Sequence, residues 1–223
     1  MCYQSRLKAG LKTLKAGLKT LKPMYNWRKM TEDERGYALE IRHRRSFPKH
    51  SPPHFDFAGE RQYLVTAACY EHAPIIGVSS DRMTECEYEI LSACQKFCAE
   101  IYAWCVLPNH YHILLKTEQV KGLRKELGLF HGRFSFQWNG QDGQRGRQVW
   151  HNCFERALKS ERHFWASLNY VHNNPVHHGY VKKWQDWPWS SANRFLEQFG
   201  KEKAAEIWRD FPLLDYGKKW DNF

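Results

Sequence analysis

Two apolar runs, residues 103–107 (AWCVL) and 110–116 (HYHILLK), are separated only by Pro108-Asn109. A two-residue connection leaves no room for a crossover, so the runs are adjacent antiparallel strands of one sheet. Strand side chains alternate faces with a period of two. His110 and His112 therefore point to one side and Tyr111 to the other. Two imidazoles on one face of a rigid strand form half of a divalent metal site, which raises the question of metal-assisted chemistry. A bare His-x-His also occurs with one histidine packed and the other solvated, so a second signal is needed.

The rest of the chain supplies the partners of this hairpin. Residues 62–69 (QYLVTAAC) read as a strand entering the core, and 81–102 as a long helix with Ser80 or Asp81 as its N-cap. Residues 121–138 are mostly helical. Residues 139–147 (NGQDGQRGR) carry three glycines and read as a mobile loop. Residues 149–157 read as a fourth strand, and 160–173 as a helix that stops at Pro175, because the residue before a proline disfavours the α region. A short helix is expected near 32–42, followed by a loop with Pro48, Pro52 and Pro53, and two further helices near 191–199 and 202–208. The order β-α-β-β-α-β-α predicts an α+β fold: a ferredoxin-like, split βαβ antiparallel sheet with helices on one face, plus a helical C-terminal extension. The chain divides into a basic tail (1–30), a polar extension (31–60), the domain that carries the motifs (61–181) and a Trp-rich C-terminal extension (182–223).

The net charge of +10 suggests an acidic partner such as nucleic acid. Eight of the ten excess charges lie in residues 1–30, which hold no Asp or Glu, so the rest of the chain carries +2. In that tail Leu7 to Thr13 (LKAGLKT) is repeated letter for letter by Leu14 to Thr20. The repeat suits a basic amphipathic helix with Leu11, Leu14, Leu18 and Leu21 on one stripe, weakened by about 1 kcal/mol at each of Gly10 and Gly17. It equally suits a DNA repeat read through from upstream, with the start at Met24 or Met30. No run of about 18 apolar residues is present, so no membrane span is expected. The seven cysteines are scattered without a Cys-x-x-Cys pair, which argues against a zinc ribbon and fits reduced thiols in a cytoplasm.

The second signal is Tyr170-Val171-His172-Asn173-Asn174-Pro175-Val176. Tyr170 and Asn174 are four apart on a helix and share a face. An amide oxygen there can complete a site begun by His110 and His112, with the phenol beside it. Two nitrogens and one amide oxygen suit Mn2+, or Mg2+ that keeps several waters. His172 falls on a different helix face and reads as structural or DNA-facing. His177 and His178 read as a solvated turn within reach of phosphate.

These residues resemble a known family. PNHYHILL followed by YVHNNPVHHGYV looks like the tyrosine transposases of the HUH type, and more narrowly like the REP-associated tyrosine transposases. Gly179-Tyr180-Val181, Trp187-Pro188-Trp189-Ser190-Ser191 and Val149-Trp150-His151-Asn152-Cys153-Phe154-Glu155 fit the same pattern, although family members usually have an aromatic at or beside Cys153. The resemblance runs from about Gln62 to Phe199; residues 1–50 have no counterpart in it. It implies a single-stranded DNA endonuclease and transposase, with a divalent metal (Mg2+ or Mn2+) held by His110, His112 and Asn174. Tyr170 would be the nucleophile, forming a 5′-phosphotyrosine link. The implied substrate is single-stranded DNA with a hairpin of the repetitive extragenic palindrome kind, and the implied location is the bacterial cytoplasm, near the nucleoid. Phosphate tracks need cations, and Arg42, Arg44, Arg45, Arg124, Lys125, Arg133, Arg145 and Arg147 are the candidates. Three alternatives stand beside this reading: a hairpin-binding protein without catalysis, an unrelated two-histidine hydrolase that would not need Tyr170, and a replication initiator or relaxase. Monomer and homodimer are both compatible with the sequence.

Overall fold

The structure is a computed structural model. It describes residues 59–97 and 100–217, together with residues 31–34, 36, 37 and 40. The chain forms two units, Met1–His54 and Phe55–Phe223. In the first, residues 32–34, 36, 37 and 40 are helical. A capping box opens this segment: the Thr31 N–H donates to Glu34 Oε2 (2.8 Å) and the Glu34 N–H to Thr31 Oγ1 (3.3 Å). The leucine–lysine repeat and Arg42, Arg44 and Arg45 lie outside the described residues.

The second unit runs β1 (Arg61–Ala68), α1 (Ser80–Phe97), β2 (Glu100–Val106), β3 (His110–Thr117), α2 (Val120–Gln141), β4 (Phe154–Ala157), α3 (Glu161–His177) and α4 (Ala192–Asp210). The four strands form one sheet in the order β2-β3-β1-β4, every neighbouring pair antiparallel. This is the expected split βαβ arrangement. The β2–β3 hairpin closes through Pro108-Asn109, and the register sets Cys105 and Thr66 on either side of His112.

The helices do not share one face. Tyr111, which alternates with the two histidines, meets His131 of α2, its hydroxyl 2.9 Å from Nε2. Tyr170 and Asn174 of α3 meet His112 and His110 instead. α1 and α2 thus cover one side of the sheet and α3 the other, because a half-polar β3 buries both of its faces. The core follows: Tyr63, Val65, Tyr111, Ile113, Leu123, Leu127, Phe130 and Phe134 are all buried, as are Leu64, Leu114, Leu168 and Val171.

Several expected boundaries change. The helix expected over 81–102 ends at Phe97, and residues 100–102 belong to β2 instead. α3 continues through Pro175 to His177, and the carbonyls of its last turn are satisfied by the N–H groups of His178 (to Asn174, 3.0 Å) and Tyr180 (to Pro175, 2.9 Å). A proline in the last turn forfeits one bond without ending the helix, and Asn174 keeps its helical alignment with Tyr170. Residues 139–147 are a pinned turn. α2 runs on to Gln141, the buried Arg82 guanidinium spans Asp142 (2.8 Å) and Gln141 (2.9 Å), Arg147 reaches Asp142 (2.6 Å), and Asn139 Nδ2 donates to the Arg147 carbonyl (2.6 Å). The regular part of the fourth strand is only Phe154–Ala157. Residues 149–151 still bond to the end of β1, the His151 N–H donating to Ala68 and the Tyr70 N–H to Val149. α4 is bent at Gly200 (φ 78°), which divides it near the expected gap between two helices.

Candidate active site

β3 and α3 lie face to face, and their polar residues match pairwise. Asn174 Oδ1 lies 2.9 Å from His110 Nε2, and the Tyr170 hydroxyl 3.5 Å from His112 Nε2. The two imidazoles meet edge to face, with ring centres 4.9 Å apart, and the Tyr170 ring meets His112 at 5.0 Å. All four side chains are buried, Tyr170 being 4% exposed.

Each histidine is braced from behind. Thr66 Oγ1 lies 2.8 Å from His112 Nδ1, and Asn109 Oδ1 lies 2.7 Å from His110 Nδ1. Burial, with His178 alongside, pushes the His110 imidazole down to about 3, outweighing the opposite pull of its bond to Asn174. Burial likewise holds His112 well below its ordinary value. Both rings are therefore neutral at pH 7 and can offer lone pairs, as a metal ligand must.

The donor set fits a hard or borderline divalent cation. Two ligands about 2.1 Å from one ion at a right angle lie roughly 3 Å apart, and His110 Nε2 and Asn174 Oδ1 are 2.9 Å apart. His110 is neutral, has a single N–H, and sits between two carboxamide oxygens. One of its nitrogens thus presents a lone pair, which a cation or the Asn174 amide N–H can take up. Asn174 Nδ2 is buried without a hydrogen-bond partner. Among the described residues no group of three or more His, Cys, Asp or Glu is arranged to hold a metal. A cation here would rest on two imidazoles and one amide, a set suited to Mg2+ or Mn2+ with oxygens of water or phosphate as its further ligands.

The other sequence candidates fall elsewhere. His172 is fully buried, its Nε2 2.9 Å from Ser191 Oγ and its ring stacked on Trp184; burial lowers its pKa to about 3. It ties α3 to the segment beside β2. His178 is half-buried, with its ring 5.0 Å from that of His110, rather than solvated. Arg124 pairs with Glu155 and Arg133 with Glu89; Lys125 is exposed. All three lie on α2, across the sheet from the histidines. Arg145 stacks over Phe136 (4.3 Å) and donates to its carbonyl, and Arg147 is held by Asp142 and Asn139.

Sequence reasoning missed the residues that surround the site. Asn109 stood next to His110 in the motif and was read only as a turn residue. Thr66 needed the β1–β3 register. Tyr216 and Gly217 pack on the Tyr170 ring, and a methyl at Gly217 would overlap it; nothing local marks that contact.

Fold and site define a class: a single antiparallel sheet in which a His-x-His strand faces a tyrosine helix of the same chain. The resemblance to the REP-associated tyrosine transposases holds in the comparisons with known proteins. A Haemophilus influenzae protein named "Putative REP-associated tyrosine transposase" is 28% identical over 152 residues, covering 60% of this chain and 81% of the relative. The REP-associated tyrosine transposase of Escherichia coli K12 is 30% identical over 101 residues, covering 43% of this chain and 55% of the relative. A solved REP-associated tyrosine transposase bound to a REP hairpin superposes with a TM-score of 0.50 and 21% identity, over 66% of this chain and 84% of that one, which shows the shared fold. No family model matches the chain.

Proposed function

We propose that this protein is a divalent-metal-dependent single-stranded DNA endonuclease and transposase that cuts and rejoins hairpin-associated DNA through Tyr170. The observation that carries the reading is the pairing of one helix with one strand: Tyr170 on His112 and Asn174 on His110. A nucleophile four residues from an amide oxygen, facing two neutral imidazoles, suits phosphoryl transfer better than any structural role, since burying four polar groups together is costly.

His110, His112 and Asn174 would hold the cation, which when bound supplies Lewis-acid polarisation of the scissile phosphate. Tyr170 Oη attacks the phosphorus. The new oxygen–phosphorus bond forms as the bond to the 3′ oxygen breaks, and the phenol proton ends on the freed 3′-hydroxyl. Attack by a 3′-hydroxyl on the phosphotyrosine reverses the exchange and rejoins the strand. One ester replaces another, so no nucleotide cofactor is consumed. The partner is DNA with a REP-like hairpin, as in the solved relative, and the setting is the cytoplasm; no described helix is long and apolar enough to cross a membrane.

A labelled single-stranded hairpin, incubated with Mn2+ or Mg2+, tests the reading on a denaturing gel. Wild type is expected to give a metal-dependent cut product and adduct, absent from Tyr170→Phe and His110→Ala. Hairpin binding without cleavage under both metals would instead support the binding-only reading, which the low exposure of Tyr170 favours.

A further inference from the structure

We propose that Asn109 is a positioning residue: it locks His110 in the Nδ1–H tautomer and so leaves Nε2 bare toward Asn174 and the site. The inference rests on the reading of His110 as a metal ligand and names the group that points its lone pair.

The relay of bonds begins at a backbone carbonyl, which can only accept. Asn109 Nδ2 lies 3.2 Å from the carbonyl oxygen of His72, and so donates to it. That orients the Asn109 amide and leaves Oδ1 facing His110 Nδ1 at 2.7 Å. Oδ1 is also only an acceptor, so Nδ1 carries the proton. A neutral imidazole has one N–H, and Nε2 is left as a lone pair. What the relay fixes is the imidazole; the Asn174 amide beyond it can present either end.

Backbone holds both ends of the relay. The Cys69 N–H donates to the Asn109 carbonyl (2.7 Å), and the Gly77 N–H to that of Pro108 (2.9 Å). Gly77 lies so close to Pro108 that a Cβ would overlap it. Glu71 and His72 both adopt left-handed backbone (φ 51° and 53°), an uncommon turn for two successive non-glycine residues. His112 is different. The partner of its Nδ1 is the Thr66 hydroxyl, which can donate or accept, so that bond leaves the tautomer open. One histidine thus faces a fixed acceptor at Nδ1, and the other faces a hydroxyl there.

The test reads the tautomer directly in the metal-free, full-length protein at neutral pH. Isotope-labelled histidine and long-range nitrogen–proton correlation distinguish the two forms, and the His110 pattern is identified by its loss in His110→Gln. Wild type and Asn109→Asp, which keeps the acceptor, are expected to show Nδ1–H at His110. Asn109→Ala is expected to shift His110 to Nε2–H, with the His112 pattern unchanged. Mn2+ affinity, followed by electron paramagnetic resonance, is expected to fall about 10- to 100-fold in Asn109→Ala and to recover in Asn109→Asp. Nε2–H at His110 in wild type overturns the proposal whatever the variants do. An unaltered tautomer and affinity in Asn109→Ala overturn it as well. Because neither readout uses DNA, the tautomer can be as proposed even in a protein that never cuts a strand.

Discussion

A glycine backbone covers one side of the Tyr170 ring. Gly217 (φ 78°) lies against the ring edge, and Tyr216 packs beside it with ring centres 5.7 Å apart. A side chain at 217 would need both an unfavourable backbone angle and space that the phenol fills. Gly217→Ala is expected to cost about 1–3 kcal/mol and to expose the ring, seen as a lower Tm and faster chemical nitration of Tyr170. His172 shows the opposite case, a residue that looks chemical in the motif and serves packing. Its removal in His172→Ala breaks the bond to Ser191 and leaves a cavity beside Trp184. The expected loss is about 2–4 kcal/mol in a denaturant titration, with the cleavage pattern unchanged once folding is restored at low temperature. Which of the motif histidines face the site was legible from alternation on β3 and four-residue spacing on α3. Asn109 and Gly217 were not, because their roles depend on the His72 carbonyl and the Tyr170 ring, partners 37 and 47 residues away that no local pattern encodes.

Among the elements, the turn after α2 departs most from what its composition suggests. Three glycines and two arginines read as mobile, yet Arg82, reaching from α1, gathers Asp142, Gln141 and the Ile75 carbonyl. The bonds from Arg82 and Arg147 lower the Asp142 carboxyl to about 2, against the cost of desolvation. The folded value is depressed, so the stabilisation is fully present above the unfolded value of about 4 and is lost as pH falls toward 2. Chemical denaturation across that window is expected to show a slope that Asp142→Asn flattens, with a loss of about 2 kcal/mol at neutral pH. α3 gives the converse lesson: proline grammar stopped the helix before Asn174, while spacing placed Asn174 on the Tyr170 face. Spacing was the better guide, since a proline in a last turn removes one hydrogen bond and leaves the face intact.

For the molecule as a whole, the two-sided sheet decides which charges lie on the side of the proposed active site. Arg124, Lys125 and Arg133 sit on α2, across the sheet from His110 and His112, and two of them are already in ion pairs. Lys125→Ala and Arg133→Ala are each expected to leave hairpin affinity within about two-fold and the salt slope unchanged, as read by fluorescence anisotropy over a salt series. A loss of one unit of slope per substitution would place DNA on that layer. The strand order was legible because a two-residue hairpin and a β-α-β-β-α-β rhythm leave few topologies. The side of the sheet taken by each helix was not, because β3 is apolar on one face and polar yet buried on the other, and only the contact with α3 explains that burial. The central claim is that Tyr170 becomes covalently joined to DNA. Mass spectrometry of the peptides left after nuclease digestion, following reaction of the full-length protein with a single-stranded hairpin and Mn2+, tests it most directly. The account predicts a nucleotide remnant on Tyr170 and none in Tyr170→Phe. Cleaved DNA with the remnant on another tyrosine, or with no protein-linked product, would contradict it.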